Sequence, residues 1–200
     1  QMSSVRGNEI GMIFQEPMTA LDPTMIVGRQ VAEVLRLHEG AAPGTARDRV
    51  VGMLERVGFD DPERIAQSFP HQLSGGQRQR VITAMALING PGLVICDEPT
   101  TALDVTVQAL VLQLLDEVLT EQEAAALFIS HDLAVVSMLC SDVLVMLDGE
   151  LVEYGPVSQV FGNPRHPYTK GLVATASLDL IEPGTRLPTV DDFYQRRRRP

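Results

Sequence analysis

Apolar positions along this chain follow two alternating rhythms. Residues 10–14, IGMIF, form a short continuous apolar run, as in a strand buried on both faces. The turn residues Leu21-Asp22-Pro23-Thr24 follow, and Val27, Val31, Val34, Leu35 and His38 then recur at helical spacing on one face. GAAPGTA at 40–46 predicts a loop. Val50, Leu54 and Val57 align on a second amphipathic helix that stops at Gly58, and Asp61-Pro62 opens a further short turn of helix. Ser74 and Gln77 have capping-box spacing, ahead of a helix with Val81, Ala84, Met85 and Ile88 on one face. Asn89-Gly90-Pro91 closes it. Leu93–Cys96 predicts a fully apolar strand. Asp104 then caps a helix whose buried stripe is Val107, Leu110, Val111, Leu114, Leu115 and Val118. Ala126–Ile129 predicts another strand, and Val143–Leu147 with Glu150–Val152 flank Asp148-Gly149, a two-residue hairpin signal.

Strands alternating with helices predict an α/β layered core. Roughly 16–72 forms a helical insert, and the proline-rich stretch after Gly162 predicts a boundary. Two hundred residues suit one domain, or one plus a small appendage. A net charge of −10 argues against a general nucleic-acid binder, which carries a basic face. The exception, Arg196–Arg199, suits a solvated tail or a membrane-surface contact. Cys96 and Cys140 lack any partner spacing and read as reduced core thiols of a cytosolic protein. No apolar run reaches the ~18 residues of a membrane span, and no signal peptide opens the sequence. Any membrane role is therefore expected through docking to another subunit. The sequence opens at Gln1, almost directly at a strand, which predicts that its start is cut.

Candidate chemistry concentrates in two segments, LSGGQRQR at 73–80 and LVICDEP at 93–99. Asp97 and Glu98 end an apolar strand. Phosphoanhydride hydrolysis needs a metal bridging phosphate oxygens and a group that orients the attacking water, and adjacent carboxylates at a strand end can supply both. Taken alone, such a pair also suits a solvent-facing strand end; the following Pro99-Thr100-Thr101-Ala102-Leu103-Asp104 favours the chemical reading. Ser74-Gly75-Gly76-Gln77 sets glycines at a helix start, where the dipole and unpaired N–H groups attract phosphate. Arg78 and Arg80 suit either solvated helix charges or interdomain pairs. His131, at a strand end beside Asp132, suits a structural role or a hydrogen bond to a terminal phosphate. Gln15 can reach a metal or water with its amide. His38, His71 and His166 read as structural. The only lysine is Lys170, and no G-x-x-x-x-G-K-[ST] occurs, so the phosphate cradle such chemistry needs is not in this sequence.

The order Gln15, 73–80, 93–98, Thr101–Asp104, His131 closely resembles the ATP-binding subunits of ABC transporters, over about residues 3–175. The resemblance implies a P-loop NTPase core of ABC type, incomplete here, with an inserted helical subdomain and a short C-terminal extension. Residues 1–15 would end the N-terminal core lobe, 16–90 would form the helical subdomain, 91–160 the C-terminal part of the ATPase core, and 161–200 the extension and tail. By the same resemblance Gln15 would be the Q-loop glutamine, contacting Mg²⁺ and sensing the γ-phosphate. Ser74, Gly75, Gly76 and Gln77 would be the signature that closes over ATP held by the opposite subunit. Asp97 would contact Mg²⁺, generally through water, and Glu98 would be the general base. Asp104 would close the D-loop across the dimer interface, and His131 would be the switch histidine.

FQEPMTALDP at 14–23, SFPHQLSGGQRQR at 68–80 and NPRHPYTKGL at 163–172 are similar to the ATPases of dipeptide, oligopeptide and nickel importers. That likeness implies an ATPase powering uptake of peptides or a related small solute such as nickel, with ATP and Mg²⁺ as cofactors. The implied partners are a second ATP-binding subunit, identical or a paralogue, transmembrane permease subunits and, indirectly, an extracytoplasmic solute-binding protein; nucleic acid is not among them. The implied place is peripheral, at the cytoplasmic face of the cell membrane. The family's adenine-stacking loop and Walker A segment would precede Gln1, so these 200 residues alone are expected to lack ATPase activity. Residues 176–200 depart from the family pattern, and with no cysteine beyond Cys140 no iron–sulfur cluster is expected in the extension. Two rival readings are a non-transport ABC ATPase working on DNA or ribosomes and a non-catalytic, truncated module with a docking or regulatory role. The long heptad arms or tandem cassettes of the first are not seen.

Overall fold

The computed structural model describes residues 5–15, 20–100, 103–176 and 189–194. Glu16-Pro17, Thr101-Ala102 and Arg196–Arg199, all singled out in the sequence, lie outside the described residues. The chain gathers into two compact units, Gln1–Ile129 and Ser130–Pro200.

In the first unit three strands form a parallel sheet in the order β1 (Ile10–Ile13), β2 (Leu93–Asp97), β3 (Ala125–Ile129). Apart from Asp97 at the end of β2, their side chains are apolar on both faces, the pattern of parallel strands covered by helices. The register pairs Ile13 with Cys96 and Asp97 with Ile129. Between β1 and β2 the chain forms α1 (Val27–Glu39), α2 (Pro43–Arg56), α3 (Pro62–Gln67), a 3₁₀ turn (Pro70–Gln72) and α4 (Gly75–Leu87). Val27, Val31 and Leu35 of α1 are buried as the periodicity predicts, and the partly buried Val34 packs against the same core. The loop expected at 40–46 is shorter. Gly40, at φ 63°, ends α1, and Pro43 starts α2 at its first position, where the fixed φ of proline favours a helix and its missing N–H costs nothing.

Gln30 is buried in α1 and stitches the preceding turn. Its Nε2 donates to the carbonyls of Asp22 (3.0 Å) and Met25 (2.7 Å), and its Oε1 accepts from Asp22 N–H (2.9 Å). The helix α4 is buried around most of its circumference, not along a stripe, because it packs against β1 and against α1 and α2. Gly11 makes the approach to β1 possible, since a Cβ there would collide with the Ala86 carbonyl oxygen.

The helix α5 (Val105–Glu121) connects β2 to β3. Its buried stripe departs from expectation: Leu110 is 40% exposed, Leu112, at 4%, is buried instead, and Val107 is partly buried against the core. The outer edge of β3 carries no strand among the described residues, and Leu127 and Ile129 are exposed.

The second unit begins with α6 (Leu133–Leu139), for which the sequence pattern predicted nothing, and continues into β4 (Asp142–Leu147) and β5 (Glu150–Pro156). These two pair as an antiparallel hairpin whose turn, Asp148-Gly149, has φ of 51° and 84°. Both angles are positive, as the expected tight turn demands. Two cross-strand pairs, Leu144–Tyr154 and Met146–Leu151, leave four large side chains exposed. The proline-rich stretch after Gly162 holds a helix: α7 (Val157–Gly162) precedes it, α8 (Pro167–Ala176) lies within it, and α9 (Val190–Phe193) packs against α8 at Gly171. The carboxylate of Glu153 on β5 orders the entry to α8 by accepting from the N–H groups of Arg165 (2.8 Å) and His166 (2.9 Å). No helix among the described residues is long and apolar enough to cross a membrane.

Candidate functional site

Parallel pairing of β1 with β2 brings their carboxyl ends to one edge of the sheet, where ligands gather in open α/β sheets. Asp97 closes β2 half-buried. Glu98 follows in the left-handed region at φ 46°, and its N–H donates to the Ile129 carbonyl at 2.9 Å. A non-glycine residue held there costs on the order of 1–3 kcal/mol, a strain that clusters at functional positions. Gln15, exposed just beyond β1, donates from Nε2 to Glu98 Oε2 at 2.7 Å. The structure thus joins two residues that stand 83 positions apart in sequence.

Ser74 and Gln77 form the expected reciprocal cap. Ser74 Oγ accepts from Gln77 N–H at 3.2 Å, and Gln77 Oε1 accepts from Ser74 N–H at 2.9 Å. Buried Leu73 anchors the turn, while Ser74 and Gly75 face outward. A Cβ on Gly75 would meet nothing within 4 Å, so the front of the helix is open to an approaching group. Gly76 abuts the start of α5: a Cβ there would lie 3.4 Å from Leu103 and 3.5 Å from Val107. The turn at 74–77 and the segment around Asp104 are therefore neighbours. Asp104 itself caps α5, its Oδ1 accepting from Thr106 N–H (3.1 Å) and Val107 N–H (3.0 Å).

His131 lies in the second unit, exposed, two residues past the end of β3. The neighbouring Asp132 is committed to α6, accepting from the N–H of Ala134 (2.9 Å) and Val135 (3.3 Å). The other histidines take packing roles. His38 lies against Gly7, His71 stacks on Phe69 with ring centroids 5.6 Å apart, and His166 sits 5.9 Å from the Tyr194 ring.

The two arginines left open by the sequence make contacts within the first unit. Arg78 Nε donates to the Pro70 carbonyl at 2.7 Å. Arg80 lies 4.3 Å over the Phe59 ring and donates to the Gly58 carbonyl. Burial pulls its guanidinium below the ordinary arginine pKa, with Asp60 opposing. Sequence reading did not single out Gln79, which is 2% exposed on α4. A polar residue inside an otherwise buried helix was the available signal.

Among the described residues no three His, Cys, Asp or Glu side chains cluster as a preformed metal cage. The edge offers the Asp97 and Glu98 carboxylates and the Gln15 amide oxygen, all hard oxygen donors. That set fits Mg²⁺, which is held by one or two carboxylates together with substrate phosphates.

Residues 1–101 match the ABC transporter family. The oligopeptide transport ATP-binding protein OppD of Bacillus subtilis is 52% identical over 175 residues, 88% of this chain and 49% of its own length. The OppD of Lactococcus lactis subsp. cremoris is 48% identical over 172 residues, 86% of this chain and 51% of its own. The chain thus spans about half the length of the curated relatives it matches. Among solved structures, the dimeric ATP-binding cassette MJ0796, in a post-hydrolysis state bound to ADP and Pi, superposes with a TM-score of 0.70 at 30% identity. The match covers 78% of this chain and 66% of that one. With its family match extending over half the sequence and a cassette fold beneath it, this chain belongs to the ABC transporter family.

Proposed function

We propose that this chain is part of the ATP-hydrolysing subunit of an importer, driving uptake of peptides or a related small solute. The single observation that carries the reading is the Gln15–Glu98 contact at the carboxyl edge of the sheet, with Glu98 strained beside Asp97. The peptide assignment is supported by the likeness to two oligopeptide transport ATP-binding proteins.

In this reading Asp97 and the Gln15 amide oxygen hold Mg²⁺. When bound, that ion neutralises phosphate charge and polarises the terminal phosphoryl group. Glu98 Oε2 orients the attacking water and takes its proton; the Gln15 amide now on that oxygen yields its place to the water. Ser74, Gly75, Gly76 and Gln77 present an open helix start to ATP held by a second ATP-binding subunit, and their dipole adds to phosphate binding. Asp104, beside that turn, faces the same subunit. His131 reaches the terminal phosphate. Residues 16–90 form the helical lobe, 91–160 the catalytic half of the core and 161–200 an extension. The phosphate-cradling segment is supplied from outside these residues, so the 200-residue chain alone does not turn over ATP.

The MJ0796 cassette is described as dimeric and bound to ADP and Pi, which supports the two-subunit arrangement. The subunit works at the cytoplasmic face of the membrane, docked to permease chains through its helical lobe; a separate binding protein delivers the solute.

The deciding experiment is Glu98→Gln in the full-length protein. Loss of the base should lower turnover by about 10²–10⁴-fold while ATP binding persists. Near-normal hydrolysis by the variant removes Glu98 from the base role and, with it, the reading.

A further inference from the structure

The buried glutamine on α4 is under-satisfied in a way that packing does not explain. Gln79 is 2% exposed, yet among the described residues its Oε1 has no hydrogen-bond partner. Its Nε2 reaches the Phe14 carbonyl at 3.5 Å, the outer limit of a hydrogen bond. A sealed amide with one unmade and one stretched bond carries a desolvation cost that its hydrogen bonds do not offset. The amide therefore has a use other than stability. Its position supplies one. Gln79 lies on the helix that begins with the Ser74–Gln77 turn, and Phe14 immediately precedes Gln15, whose amide holds Glu98 Oε2 at 2.7 Å.

We propose that Gln79 is a positioning residue that links the anion-facing helix start to the carboxylate edge. In the arrangement described here the link is slack. A shift of α4 by a few tenths of an ångström toward β1 brings the Nε2–Phe14 contact to the ordinary length of about 2.9 Å. That shift draws the Phe14 backbone with it, and Gln15 moves relative to Glu98. Engagement of the helix start is thereby reported to the oxygen that must receive a proton. The inference rests on the proposed ATPase reading for its consequence, but the mechanical link exists in the chain irrespective of nucleotide.

Two measurements test it. In the 200-residue chain, the side-chain amide resonances of Gln15 are assigned by their loss in Gln15→Ala and compared between the parent and Gln79→Met. The link predicts displaced Gln15 resonances in Gln79→Met; unmoved resonances overturn it. In the full-length protein, Gln79→Met should lower kcat about tenfold while KM for ATP stays within twofold, the signature of an interaction made on the way to the transition state. The thermal midpoint should hold level or rise. Unchanged kcat, or a fall in turnover matched by loss of folded protein, reduces Gln79 to packing and overturns the proposal. A parent protein that binds but never hydrolyses ATP counts against the ATPase reading instead, and the resonance comparison then decides the link.

Discussion

The helices between β1 and β2 and the strands that follow them use similar apolar residues to opposite effect. In the helical segment Val27, Val31, Leu35, Leu54, Ile65, Val81 and Leu87 are sealed from solvent. In β3 and the β4–β5 hairpin, Leu127, Ile129, Leu144, Met146, Leu151 and Tyr154 are exposed. In the helical segment the apolar faces meet one another and β1 in a single core. Of these strands β3 is apolar on both faces, and the described residues cover only part of it.

The sharpest way to break this comparison is a matched pair of truncations. Leu54→Ala, at a site 0% exposed, should cost about 2–5 kcal/mol in urea unfolding, the range for a buried leucine. Leu127→Ala, at 44% exposed, should cost under about 1 kcal/mol. Equal losses would abolish the distinction. Gly11→Ala comes next. A methyl driven against the Ala86 carbonyl should cost about 1–3 kcal/mol, because backbone must move to admit it. Asp104→Ala, which removes the cap from α5, should lower stability by about 1 kcal/mol by the same measurement.

The smallest effect concerns the second unit and sharpens the contrast by pH. Burial raises the Glu153 pKa, but the N–H bonds from Arg165 and His166, the Thr169 hydroxyl and the charge of His166 together outweigh it and hold the carboxyl below its ordinary value. The folded pKa is thus depressed. Its stabilisation is fully present above the unfolded value of about 4.3 and is lost as pH falls through the lower folded value. Thermal midpoints of the parent and Glu153→Gln should therefore differ at neutral pH and converge below about pH 4. A constant difference down to pH 3 would show that the carboxylate charge is not what holds the entry to α8.

Much of the first unit was legible because its signals are local. Apolar spacing placed the faces of α1 and α2, and Ser74 with Gln77 announced the start of α4 through a cap satisfied within one turn. What escaped depends on distant partners. Leu110 and Leu112 stand two apart on α5, and only the neighbours against which the helix packs decide which is buried. The helix at 167–176 was obscured by prolines because its entry is ordered by Glu153, twelve residues before Arg165 and outside any local pattern. Of the candidate site, the residue types and their order were readable. The bond joining Gln15 to Glu98 was not, since it spans the whole helical segment, and neither was Gln79, whose interest comes from hydrogen bonds it fails to make.

The bare side of β3 has a practical corollary. A strand that has no neighbour on its outer edge among the described residues, and that exposes Leu127 and Ile129, is adhesive toward any extended peptide of similar character. At high concentration these molecules are expected to associate edge to edge along it. Solubility should then improve most from Leu127→Lys, a change that leaves Gln15, Asp97 and Glu98 in place.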